Sequence, residues 1–180
     1  MIFLGIILFR KGTGKMEIYR WVILLHVLFA FGFFLSHGAS ALAMFKLRNE
    51  RSHERICAII ELCKMGEPPM IISFLGILIT GIAGGFIGGW WRHGWIWAAL
   101  ILLIAIDLLM GRYGRVYIEQ IANALGMVDA RATKKGVIPA QPASPEALAT
   151  IVNAGRPGLM ASVGLGGLAA IILLMTIKPF

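Results

Sequence analysis

The sequence predicts an all-α fold, a four-helix bundle that crosses a membrane. Four long apolar stretches lie near residues 21–45, 70–91, 95–111 and 157–177, and basic connectors separate them. Each stretch has about the 20 residues that a helix needs to cross roughly 30 Å of hydrocarbon. The composition agrees, because 58% of the residues are hydrophobic and the mean hydropathy is +0.81, which exceeds what a soluble domain needs. We therefore expect a single membrane domain over residues 20–180.

Residues 1–19 precede the first span. The run 1–9 is apolar but too short to cross a bilayer, and no small-residue cleavage site follows it. We interpret residues 1–19 as an interfacial leader or as an extension upstream of a translation start at Met16. Arg20 and Trp21 then form a pair of the kind that anchors a span at the membrane interface.

The first span is expected to continue as helix beyond the bilayer, since neither Gly nor Pro occurs from residue 39 to residue 65. We expect a bend near residues 49–52. Beyond this bend, an apolar face at helical spacing predicts an amphipathic connector helix that lies on the cytoplasmic membrane surface. Residues 66–69, Gly-Glu-Pro-Pro, are expected to end this helix and to start the second span. The apolar face consists of Ile56, Ile59, Ile60 and Cys63.

Small residues recur at every fourth position in two of the spans. Because lipid provides little hydrophobic drive between helices, such rows let two backbones approach closely and gain dispersion contacts. We expect both rows to pack the bundle, and a pore or a groove for a flat cofactor is the alternative. The rows are Gly81, Gly85 and Gly89 in the second span and Gly158, Ser162 and Gly166 in the fourth.

Local signals place the remaining elements. Four tryptophans between residues 90 and 97 mark one membrane surface, because indole rings favour the headgroup level. After the third span, the helix is expected to resume over residues 116–125 and to stop at Gly126. A short helix is expected over residues 144–153, since Ser144 supplies an N-cap directly before a proline.

The distribution of basic residues predicts the orientation. Eleven of the 17 Lys and Arg residues lie in the connectors 46–69 and 112–156, so these connectors are expected to be cytoplasmic and both termini to lie outside. We expect the cell membrane as the location. The net charge of +8 does not indicate a nucleic-acid partner, because the basic residues flank the spans, where cations meet anionic lipid headgroups.

A few polar side chains inside the spans are the candidates for function. His26 and His37 share one face of the first span but lie about 16 Å apart along its axis. A buried imidazole needs a hydrogen-bond partner, and it serves as a haem ligand or a proton relay. We expect His37 to lie within reach of Asp107. Arg112 or Arg115 is expected to pair with Asp107, and a proton or ligand role for Asp107 is the alternative.

Four short segments resemble the copper-resistance-D-like superfamily of small membrane proteins. They are Tyr19–Leu28, which contains His26, Lys46–Arg51, Gly94–Trp95 and Gly111–Arg115. The superfamily includes a branch of predicted integral membrane proteins and, more distantly, the haem-binding membrane protoporphyrinogen oxidase. The resemblance therefore implies a small helical bundle, and it implies haem b binding by His26.

Two features of the sequence limit what the resemblance implies. In the oxidase branch a His and a Lys follow the Gly-Trp of the third span, whereas this chain has Trp97 and Ala99 near those positions. Oxidation of protoporphyrinogen is therefore not expected. The copper-resistance branch implies copper handling, but the nine methionines form no Met-x-x-Met array suited to Cu(I).

Three hypotheses for the function remain. The first is a membrane protein that binds haem b or a metal through His26. The second is a small permease for a metal or another solute that uses Asp107 and His37. The third is a structural or assembly subunit that forms a homo-oligomer or joins a larger membrane complex through its glycine rows. No complete catalytic constellation occurs in the sequence, which favours non-enzymatic readings.

Overall fold

The computed structural model describes the backbone of residues 2–127 and 141–179, and the side chains of residues 14–127 and 141–179. Nearly all of these residues are helical, and the described ranges contain no strand. The helices are α1 (Ile2–Asn49), α2 (His53–Gly88), α3 (Gly94–Met110), α4 (Val116–Ala124), α5 (Pro145–Ala154), α6 (Pro157–Ala161) and α7 (Gly167–Ile177). A 3-10 turn (Trp90–Arg92) follows α2, and π-helical turns (Gly111–Arg115 and Ser162–Gly166) join α3 to α4 and α6 to α7.

The predicted fold class is confirmed. Within the described ranges, four helical segments are long and apolar enough to cross a membrane, namely Gly14–Asn49, His53–Gly88, Gly94–Ala124 and Pro145–Ile177. Each of them contributes one buried side chain to a shared apolar cluster in the middle of the bundle. These side chains are Phe33, Ile77, Leu103 and Leu168.

α1 and α2 form a long antiparallel hairpin, and the predicted bend between them is confirmed at residues 50–52. The carboxylate of Glu50 accepts hydrogen bonds from the backbone N–H groups of Arg51 and Ser52, both at 3.0 Å. These bonds, together with the nearby cations Arg55 and Lys46, hold the pKa of Glu50 below its ordinary value. The side chain therefore closes the turn best in its charged form.

The predicted end of the connector helix at residues 66–69 is wrong. The amphipathic segment is helical, but α2 runs without interruption from His53 through Pro68 and Pro69 to Gly88. The segment does not lie flat, because its apolar face is buried against the end of α1 and against α4 and α5. These contacts form a second apolar core. This core keeps the segment in line with the rest of α2, although the two prolines each remove a backbone hydrogen bond. Its largest fully buried side chains are Leu47, Ile60, Ile121 and Val152.

The helices that follow the third span agree with the sequence signals. The chain turns after α4 at Gly126, whose φ is 70°, a conformation that favours glycine. The hydroxyl of Ser144 accepts a hydrogen bond from the N–H of Ala147 at 3.3 Å, so it caps α5 as predicted. The buried hydroxyl of Tyr117 donates to the carbonyl of Val152 at 2.8 Å and ties α4 to α5. Residues 128–140 of the predicted connector lie outside the described residues.

The opposite end of the bundle carries the tryptophan cluster. The indole N–H of Trp90 donates to the hydroxyl of Tyr19 at 3.0 Å, which joins the α2–α3 turn to α1. The ammonium of Lys178 lies 4.4 Å from the ring centre of Trp90 and 5.4 Å from that of Trp95. The start of the first span, the turn before α3 and the end of α7 therefore meet at one end. The connectors around residues 50 and 116–156 that are described lie at the other.

Candidate intramembrane histidine sites

His26 lies on α1 and contacts α2. Its Nδ1 is 3.0 Å from the hydroxyl oxygen of Thr80. The ring also packs edge-on against Gly81, where an added Cβ would lie 3.2 Å from Cε1 of His26. Such a distance is tighter than ordinary carbon contacts, so the absence of a side chain at Gly81 lets the imidazole approach α2.

The hydrogen bonds of Thr80 favour one tautomer of His26. The Thr80 hydroxyl lies 2.5 Å from the carbonyl oxygen of Gly76 and 3.3 Å from that of Ile77, both on its own helix. When it donates its single proton to one of these carbonyls, it can only accept from His26, and Nδ1 of His26 then carries the proton. In this tautomer Nε2 of the neutral ring has a lone pair, and the contact with α2 sets the orientation of the ring.

His37 is the least exposed of the buried polar side chains, with 5% of its surface accessible. Its ring stacks on Phe33, with ring centres 6.2 Å apart and planes 9° apart. Nε2 is buried, has no hydrogen-bond partner among the described residues, and lies against Gly164 in the π turn Ser162–Gly166. The space for this ring exists because position 164 has no side chain.

The expected pairing of His37 with Asp107 does not occur. Asp107 is exposed on α3, and among the described residues its side chain forms no hydrogen bond or ion pair. Arg115 pairs instead with Glu67, at 2.8 Å between Nε and Oε1. Arg112 is exposed as well, and no ion pair joins it to Asp107. Among the described residues, His37, Asp107 and Arg112 therefore do not meet in one polar cluster.

The two glycine rows differ in what they contact. Gly81 contacts His26, and an added Cβ at Gly85 would lie 2.9 Å from Trp91, so these two positions pack the bundle as predicted. Gly89 instead ends α2 with a φ of 71°. In the fourth span, Gly158 and Gly166 have no described atom within 4 Å of an added Cβ.

The row in the fourth span therefore faces outward. Ser162 is exposed and bonds only to the carbonyl of Gly158 on its own helix, at 2.8 Å. The interior contacts of this span come from glycines that the row did not include, Gly164 against His37 and Gly167 against Ile106. The prediction that Gly158, Ser162 and Gly166 pack within the bundle is wrong for the single chain.

Sequence reasoning missed Thr80 and Gly164. A threonine in an apolar span gives no signal of its own, and only the pairing of α1 with α2 places it beside His26. Gly164 lies about 200° around the helix from Ser162, so the spacing that singled out the row pointed to the opposite face.

A bare metal ion has no cluster of ligands in the described part of the chain. No three or more His, Cys, Asp or Glu side chains lie together there in a group that could hold one.

Comparisons with protein-family models, with curated proteins and with solved structures gave no match for this chain. The resemblance to the copper-resistance-D-like superfamily therefore stays a prediction. The structure gives a multi-pass helical membrane protein with two unlike histidines in its first span, one that is hydrogen-bonded to Thr80 and one that is enclosed by the fourth span.

Proposed function

We propose that this chain is a multi-pass protein of the cell membrane that binds haem b through Nε2 of His26. Its connectors 46–69 and 112–156 lie on the cytoplasmic side in this proposal, and both termini lie outside. The observation that carries the proposal is the hydrogen bond between Nδ1 of His26 and the Thr80 hydroxyl at 3.0 Å. Histidine ligands of metals almost always donate their other ring N–H in this way, which sets the ring orientation and raises its basicity.

Haem suits His26 better than a bare ion does. Among the described residues, no group of three or more His, Cys, Asp or Glu side chains could hold a metal ion. The porphyrin already provides four nitrogen ligands, so one histidine is enough to hold the iron. His37 would not hold the same haem as His26, because it lies about 16 Å away along α1 and packs on Gly164.

The residues of this chain have separate tasks in the proposed site. His26 binds the iron, Thr80 orients the ring, and Gly81 leaves room for that orientation. When bound, haem supplies reversible one-electron chemistry. Among the described residues His26 is the one placed to hold the iron, so carbon monoxide should bind to the reduced protein if haem is bound.

The test is an optical spectrum of the full chain, purified in mild detergent from a host supplied with a haem precursor. We expect a Soret band in the wild type, its loss in His26→Ala, and its retention in His93→Ala, a control at an exposed histidine. Thr80→Val keeps the shape of the side chain but removes the acceptor for Nδ1. It should weaken haem binding about 10- to 100-fold without loss of the folded protein.

Two results would contradict the haem proposal. The first is a wild-type protein that stays colourless in a haem-replete host. The second is a haem spectrum that His26→Ala leaves unchanged. In particular, loss of the Soret band in His93→Ala with normal haem binding in His26→Ala would assign the haem ligand to His93, at the end of the bundle that carries the tryptophan cluster. This result would also reject the proposal.

The second candidate function is an assembly subunit of a homo-oligomer or of a larger membrane complex. It is supported by the outward-facing row of Gly158, Ser162 and Gly166, which leaves a smooth helix face without contacts in the described chain. Small residues at this spacing favour close helix association in lipid. Gly85, by contrast, packs on Trp91 of the same chain, so a substitution there tests folding instead of association.

Association is tested with Gly158→Leu and Gly166→Leu. Both should leave the monomer folded, because neither position has a described neighbour within 4 Å. Loss of a chemically cross-linked oligomer in these variants, with the oligomer retained in Gly38→Leu, a glycine of α1 that also has no described atom within 4 Å of an added Cβ, would support assembly through this row. Cross-linking that is absent in the wild type, or equal in all variants, would reject it.

A further inference from the structure

An apolar groove of about 620 Å³ lies between the end of α1 and the start of α2. α1 contributes Ala39, Leu42, Ala43 and Lys46 to its wall. These residues follow the spacing i, i+3, i+4 and i+7, so they form one stripe along the helix. The stripe is apolar over three positions and ends in a cation.

α2 contributes a matching stripe with the order reversed. Its residues are Arg55, Ala58, Ile59 and Leu62, at the same spacing. Because α1 and α2 are antiparallel and joined at residues 50–52, Lys46 and Arg55 lie at the same end of the groove. The other end is apolar on both walls. The groove is therefore charged toward the connector and hydrophobic toward the bilayer.

The position of the groove along α1 places it at the membrane boundary. Trp21 marks the opposite interface, and Ala39 lies 18 residues later, which is about 27 Å along the helix. Lys46 lies 25 residues after Trp21, or about 37 Å. A hydrocarbon core of about 30 Å within a bilayer of about 40–45 Å puts Ala39 near the ends of the acyl region and Lys46 among the headgroups.

The surface chemistry of the groove agrees with this depth. Leu42 and Leu62 are 72% and 59% exposed, which suits contact with lipid and not with water. Lys46 forms no ion pair with a described residue, and the Arg55 side chain is 75% exposed beside Glu50 at 3.7 Å. Arg55 thus forms an ion pair with Glu50 at the edge of the groove, but most of its side chain is exposed and its guanidinium has further N–H donors for an anionic group.

We propose that this groove binds one anionic phospholipid of the adjacent leaflet. The phosphate lies between Lys46 and Arg55, and the glycerol and the first part of an acyl chain lie along Ala39, Leu42 and Leu62. The site is independent of His26, which lies in the opposite half of the membrane. A second copy of the chain, or a helix of another protein, is the competing occupant.

The test is native mass spectrometry of the full chain in mild detergent, titrated with phosphatidylglycerol or with phosphatidylcholine. We expect retained phosphatidylglycerol in the wild type and little phosphatidylcholine. The variant K46Q/R55Q should bind phosphatidylglycerol about 30-fold more weakly, since each cation near anionic lipid contributes a factor of about five. The control R51Q/K64Q removes two cations from the same end of the molecule but outside the groove.

A second pair of variants separates the groove from its charge. Ala58→Phe fills the apolar wall without altering a charge, and it should also reduce retention of phosphatidylglycerol. Ala169→Phe adds the same ring to an exposed position of α7 and should not. The proposal is overturned if K46Q/R55Q and R51Q/K64Q lose phosphatidylglycerol equally, or if Ala58→Phe has no effect. A dimer that Ala58→Phe dissociates would also overturn it, because the groove would then be an interface between copies.

Discussion

His37 and Gly164 form a contact that is set by a single missing side chain. The His37 ring is enclosed between Phe33 of its own helix and the π turn of the fourth span. An added Cβ at Gly164 would overlap Nε2 and both neighbouring ring carbons. The imidazole cannot move far, because it is stacked on Phe33 and is buried. This contact ties the first span to the fourth.

Gly164→Ala is therefore expected to destabilise the protein by about 1–3 kcal/mol, the usual effect of overpacking. Thermal unfolding in detergent measures the change. Gly166→Ala is the matched control, since it lies in the same π turn with no described atom within 4 Å of the added carbon. It should be neutral or slightly stabilising. If the double variant H37A/G164A does not recover part of the loss, the clash with His37 is not its cause.

Glu50 predicts a pH dependence of stability. Its backbone hydrogen bonds and the nearby Arg55 and Lys46 lower its pKa in the folded protein below the ordinary 4.5. A depressed carboxyl pKa stabilises the folded state above the ordinary pKa, and this contribution is lost as the pH falls through the folded-state pKa. Glu50→Gln should therefore lower the Tm near neutral pH, and the difference from wild type should vanish in acid. A difference that grows on acidification would contradict this origin.

At the scale of the helices, α2 contains a local conflict that tertiary packing resolves. Pro68 and Pro69 lie inside the helix, although each proline removes one backbone hydrogen bond and its ring crowds the preceding turn. The segment before them is held by Ile56, Ile60 and Cys63, which are buried in the second core. The energy of this packing offsets the two prolines, so the helix passes through positions where a break is expected.

The variant P68A/P69A tests whether the helix is continuous. In a helix interior a proline costs about 3 kcal/mol relative to alanine, so the double variant should raise the Tm. If a new helix began at these residues, proline would be well suited to its first turn, and the change would be neutral or destabilising. Thermal unfolding in the same detergent distinguishes the two, with Pro157→Ala, at the start of α6, as a control for a helix-initiating proline.

At the scale of the whole molecule, the part of the chain that the structure describes has two apolar cores, one at each level of the bundle. One lies among the four spans and includes Phe33 and Leu168. The other includes Leu47, Ile121 and Val152, and it joins the extensions of α1 and α2 to α4 and α5. The helices therefore continue beyond the spans as a packed unit at the connector end, while the tryptophan cluster closes the opposite end.

This arrangement predicts the sidedness of two exposed positions. In a variant without Cys57 and Cys63, a cysteine introduced by His93→Cys should react with a membrane-impermeant maleimide in intact cells. A cysteine introduced by Gln141→Cys should react only after permeabilisation, because the connector end carries most of the basic residues. Labelling of both positions from the same side would contradict the topology, and an exchange of the two results would contradict only the orientation.

Much of the fold and less of the site could be predicted from the sequence. The four spans, the bend at residues 50–52, the turn at Gly126 and the cap at Ser144 are confirmed. Each depends on a run of apolar residues or on the conformational preference of a few neighbours. Such signals are local, so they do not depend on what the helices pack against.

By itself, the sequence determined that the chain is a helical membrane protein and where most of its helices begin and end. Tertiary structure alone decided which faces point inward. It paired His26 with Thr80, enclosed His37 with Gly164, and turned the row containing Gly158 outward. Periodicity relates the residues of one helix to each other but does not orient that helix in the bundle. Because lipid is as apolar as the protein interior, hydropathy cannot tell a face that packs from a face that meets the membrane.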